Sequence, residues 1–125
     1  MHLPSQYLKL AAIGIMVSTP TFAAQHTRFW NLTGETIVSL KLAPTGTSTW
    51  SDNQCDNDKD KAVQHDERLE LKGISPGQYD VSFEVSGRAC LIRNIEVTGD
   101  SGYAFSLDTK DLAKCKPVSK NTVPK

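Results

Sequence analysis

Twelve residues, Asp56-Asn-Asp-Lys-Asp-Lys-Ala-Val-Gln-His-Asp-Glu67, place carboxylates at positions 1, 3, 5 and 12 of the run, the spacing with which an EF-hand loop holds calcium. Residues two apart on a tightly curved loop can turn their oxygens toward one hard cation, and a bidentate glutamate can close the shell. The candidate ligands are Asp56, Asp58, Asp60 and Glu67, with Gln64 at position 9. Calcium is the expected ion. A lanthanide of similar size would gain further from the local charge, since residues 52–67 hold six carboxylates against two lysines. Two features depart from the motif: position 6 is Lys61 where the sharp turn wants glycine, and the flanks read as coil and strand where an EF-hand has helices. The competing reading is a solvated acidic loop that blunts a sheet edge.

Other chemistry is sparse. Cys55 and His65 could serve copper or zinc, but two donors ten residues apart are a weak signal, and no CxxC spacing occurs. Past the leader described below only His26 and His65 remain as histidines. No nucleophile elbow, phosphate-cradling glycine loop or Cys-His motif is visible, so the chain reads as non-enzymatic. Asn31-Leu-Thr33 fits a glycosylation acceptor, which a turn at Thr33-Gly34 explains equally well. Arg28, Phe29 and Trp30 could line a binding surface or enter the core.

The 125 residues carry 14 basic and 14 acidic side chains with a pI near 6.8. That balance removes the basic footprint of a nucleic-acid binder, and the length allows one small domain. Residues 1–23 read as a secretory signal peptide: Lys9, the apolar stretch Leu10–Val17, Pro20, then small residues Thr21 and Ala23 ahead of a cleavage point. The apolar stretch is too short to anchor in a bilayer, and no cysteine follows the cleavage point to take a lipid. The expected product is a periplasmic or secreted protein, a monomer or weak dimer, that binds a metal ion, a periplasmic protein partner, or both. It needs neither nucleic acid nor membrane insertion.

An oxidising compartment makes a disulfide plausible, and three cysteines allow three pairings. Cys90–Cys115 is favoured because it would pin the C-terminal segment to the core. Cys55, in a very polar stretch, is then expected to be a free, exposed thiol.

The elements that must position these groups have period two almost throughout, with turn signals every eight to twelve residues. The expected fold is all-β, a small antiparallel β-sandwich of about six to seven strands with a long acidic loop between strands 2 and 3. Residues 28–32 and 36–42 read as a hairpin, with Val38, Leu40 and Leu42 inward. Trp50 is expected to plug the core edge. Tyr79, Val81, Phe83 and Val85 share one face of the clearest strand. Leu91, Ile95 and Val97 are expected inward on the next, with Arg93 marking a bulge or a paired charge. Tyr103, Phe105 and Leu107 should face inward on the last strand, followed by a helical turn at Asp111–Lys114. The domain is placed at 24–115 and the basic residues 116–125 are read as a disordered tail.

Gly73-Ile-Ser-Pro-Gly-Gln-Tyr-Asp-Val-Ser-Phe83 resembles the proline-glycine-x-tyrosine-x-valine strand opening of exported prealbumin-like and immunoglobulin-like sandwich modules. Asn31-x-Thr33-Gly34, Ile37, Leu40, Pro44, Gly46, Trp50, Cys90, Asp111-Leu112 and Cys115 together resemble a family of small exported bacterial proteins of unassigned function. That resemblance implies the β fold and the Cys90–Cys115 pairing without supplying chemistry. The acidic stretch with Cys55 departs from it and looks like an insertion.

Overall fold

The computed structural model describes residues 27–99 and 103–118. The leader, His26 and the tail beyond Val118 lie outside the described residues. Among the described residues seven strands form: β1 (Arg28–Leu32), β2 (Ile37–Pro44), β3 (Arg68–Glu70), β4 (Gly77–Val85), β5 (Arg88–Val97), β6 (Phe105–Asp108) and β7 (Cys115–Pro117). They make a three-stranded sheet, order β3-β1-β6, and a four-stranded sheet, order β2-β4-β5-β7. All pairings are antiparallel except β1 with β6, which is parallel. Two 3-10 turns, Gln54–Asn57 and Thr109–Lys114, complete the described elements. Among the described residues no helix is long and apolar enough to cross a membrane.

Alternation sets the core. Phe29, Leu69, Phe105 and Leu107 from the small sheet join Ile37, Leu40, Leu42, Val81, Phe83, Val85 and Val97 from the large one in a single buried cluster. Phe29 and Phe105, opposite each other in the parallel pair, stack with ring centroids 5.0 Å apart.

The expected hairpin at residues 28–42 does not form, because β1 and β2 belong to different sheets. Near the end of β1, Asn31 is fully buried and organises the connection. Its Oδ1 accepts from Thr33 N–H and Thr33 Oγ1, and its Nδ2 donates to the carbonyls of Glu35 and Val63. This satisfies a turn that carries the chain across to the other sheet. Burial also leaves no room for a glycan on Asn31.

Four other inward expectations shift. A register slip between Ile37 and Ser39 buries Ile37 and leaves Val38 48% exposed. Cys90, paired across from Phe83, faces the core, so its neighbour Leu91 faces out. Tyr103 precedes β6 and lies edge-on against Trp30 on the outer face of the small sheet, where the Arg68 guanidinium covers the indole at 4.0 Å. Trp50 is 40% exposed.

Arg93 marks both a bulge and a pair. The β4–β5 register slips between Tyr79 and Val81, Asn94 takes a left-handed φ of 60°, and Arg93 bonds Asp80 at 3.1 Å. Asp80 also accepts the N–H groups of Asn94 and Gly46. Those bonds, Asn94 first, hold its carboxyl below the usual carboxylate range despite its burial.

Cys90 and Cys115 form a disulfide. It joins β5 to β7, and the chain stays paired past it, with Val118 N–H donating to the carbonyl of Gly87.

Candidate functional site

The segment between β2 and β3 does not stand away from the fold; it closes one edge of each sheet, β2 and β3. Along β2, Ile37 exchanges both backbone bonds with Val63, Leu40 N–H donates to Asn53 Oδ1 at 2.9 Å, and Leu42 N–H donates to Ser51 Oγ. Beside β3, the buried side chain of Gln54 mimics a strand, accepting Lys72 N–H at 2.8 Å and donating to the Lys72 carbonyl at 3.2 Å. Asn57 Nδ2 donates to the Glu70 carbonyl. Both edges thereby lose the unpaired groups that would invite another strand.

Cys55 is the largest correction. The expected exposed thiol is buried, with Sγ 3.6 Å from the Ile37 carbonyl. Asn53 caps the 3-10 turn by accepting Cys55 N–H, which turns the sulfur into the core. Burial, and then the charges of Asp56, Asp58 and Glu67, push the thiol from 9.0 up to about 12. Such a sulfur is neither a ready metal ligand nor a nucleophile at neutral pH.

The five expected ligands divide. Asp60, Gln64 and Glu67 line one open depression of about 490 Å³ with His65 and Asp66, and Asp56 and Asp58 do not line it. Val63, at the middle of the run, is buried against Ile37, so the chain dips into the core and cannot curl around a single point. Several carboxylates bond their own backbone: Asp58 Oδ2 accepts Asp60 N–H at 2.7 Å, and Glu67 Oε1 accepts Gln64 N–H at 2.7 Å. Asp66 Oδ1 accepts Trp30 Nε1–H, and His65 Nδ1 accepts Gly34 N–H. Lys61 takes φ 58°, the left-handed turn that position 6 of the motif asks for. Among the described residues no three His, Cys, Asp or Glu side chains stand close enough together to hold a metal ion.

Sequence reasoning missed Asn53, Gln54 and Asn57, which read as polar filler yet carry the edge closure. The available signal was Ala62-Val63, the only apolar pair in an otherwise polar run, which marks a place where the segment must touch the core. Comparison with protein-family models, with curated proteins and with solved structures finds no match to this chain.

Proposed function

We propose that this chain is an exported, non-enzymatic binding module whose two sheets stack as an immunoglobulin-like or prealbumin-like sandwich, and that its ordered acidic segment docks a basic patch on a periplasmic protein. One observation carries the reading: the segment is fixed by Val63, Cys55 and Asn53, while the side chains of Asp56, Asp60 and Asp66 remain at the surface. A pre-ordered charged surface spends little conformational entropy on docking. Export is supported by the leader-like N-terminus together with the Cys90–Cys115 disulfide. The test is affinity for partners recovered from periplasm on the mature chain. Asp56→Asn/Asp60→Asn should weaken them about tenfold and flatten their salt dependence; equal affinity in the double variant would refute the docking surface.

A second reading keeps the hard cation, calcium or a lanthanide. It is supported by the shared depression of Asp60, Gln64 and Glu67 and by the left-handed turn at Lys61. Calorimetric titration of the metal-stripped mature chain with calcium and then a lanthanide decides it. Single-site binding lost in Asp58→Asn/Asp60→Asn supports the ion; silence with both ions removes it.

A further inference from the structure

Trp50 is exposed without an evident structural duty. It stands outside the buried cluster, and among the described residues no ring or cation stacks on it, in contrast to Trp30. It is one of two tryptophans in the chain and is left 40% exposed, beside a concave surface that can put the exposure to use. Trp50 lines a depression of about 440 Å³ whose walls include Asp52, Asn53, Gln54, Asn57 and Lys72, a size within the usual ~300–1,000 Å³ of small-molecule sites.

The floor is rigid. Both ends of the Gln54 amide are used: Oε1 accepts from Lys72 N–H and Asn57 Nδ2, and Nε2 donates to the Lys72 carbonyl. The rim keeps hydrogen-bonding capacity of both signs, and the internal bonds fix which sign each group offers. Asn53 spends its oxygen on Leu40 and Cys55, so its NH2 is left to donate. Asn57 spends its NH2 on Gln54 and Glu70, so its oxygen is left to accept. Asp52 and Lys72 add one carboxylate and one ammonium, whose charges cancel, and neither side chain has a charged partner among the described residues.

We infer that this depression is a saccharide site, taking one or two neutral pyranose rings with a C–H face on the Trp50 indole and hydroxyls on Asn53, Asn57, Asp52 and Lys72. Each part of the lining selects for that class. A sugar hydroxyl both donates and accepts, matching the paired amides of opposite polarity. A free anion meets Asp52, a hard cation meets the Lys72 ammonium, and a purely apolar ligand leaves both amides unsatisfied. The site needs none of Asp56, Asp58, Asp60 or Glu67, so it stands or falls apart from the acidic-surface reading.

The test is a titration of the mature full chain by saturation-transfer NMR and calorimetry. The probes are glucose, galactose, mannose, N-acetylglucosamine and their β1-4 disaccharides, with adenosine as a flat stacking competitor. The expected result is saturable binding of at least one saccharide with Kd of about 1 mM or tighter. It should weaken about tenfold or more, roughly 1.4 kcal/mol, in Trp50→Ala. Lys72→Gln, whose backbone bonds to Gln54 are retained, serves as a second variant and should weaken the same sugar without loss of the native near-ultraviolet dichroism. No saturable saccharide binding, equal affinity in Trp50→Ala, or adenosine binding tighter than every sugar would each overturn the assignment.

Discussion

Cys55 is a thiol whose ionisation is tied to unfolding. Its folded value of about 12 lies above the 9.0 of an unperturbed thiol, so the folded state favours the neutral form. The stabilisation is complete below pH 9.0 and is lost as pH rises toward 12, because the unfolded chain releases this proton first. From pH 8 to 10.5 the wild type should lose about 2 kcal/mol from this group alone. Cys55→Ala, destabilised at pH 7 by the small cavity it leaves, should lack that alkaline slope. Urea midpoints of both proteins at the two pH values check it; parallel slopes would refute it. The native thiol should also ignore a maleimide at pH 7.5 until denaturant is added, which excludes Cys55 as a route to disulfide dimers.

At the scale of elements, the segment 50–63 trades hydrogen bonds for chain: side chains of Asn53, Gln54, Asn57 and Ser51 stand in for missing neighbouring strands. Asn53 matters most because one oxygen serves both the β2 edge and the turn that buries Cys55. Asn53→Ala should cost about 1–2 kcal/mol, one cap plus one unpaired N–H. Asn53→Asp, which keeps the acceptor, should recover most of that loss in thermal unfolding. Equal losses in the two variants would mean that the accepting oxygen, with its bonds to both Leu40 and Cys55, does not carry the stabilisation. These roles explain what the sequence could and could not say. Strands such as β4 were legible because Val81, Phe83 and Val85 alternate against one core, although the bulge at Asp80 buries that carboxylate and leaves Tyr79 only partly buried. The β1–β2 crossover was not, since the sequence does not show that Asn31 is buried and bonded across to Glu35 and Val63. Likewise the carboxylate spacing at 56–67 was legible as a pattern, but its geometry depended on Val63 turning inward, which pairing with Ile37 decides from outside the segment.

For the whole molecule, the two ends of the described chain are held unequally. The N-terminal strand β1 is flanked on both sides by β3 and β6 and contributes Phe29 to the core. The C-terminal strand β7 has one neighbour and three residues, of which two are exposed. Its preceding turn lends Leu112, partly buried against the core, but little other apolar area secures it. The Cys90–Cys115 bond must therefore do most of the holding. It closes a loop of 25 residues, which in the chain-entropy account stabilises the fold by about 3 kcal/mol. Cys90→Ala/Cys115→Ala should lose that much in urea unfolding. The loss should also be uneven, with amides of 109–118 exchanging early while those of β1, β2 and β4 stay protected. Removing the bond opens the rim of the large sheet nearest β7 and leaves the edges closed by residues 50–63 intact, since none of their hydrogen bonds runs through β7. Uniform loss of protection across all seven strands would instead mean that the C-terminal strand and the core unfold as one unit, and that the bond acts only on the unfolded chain.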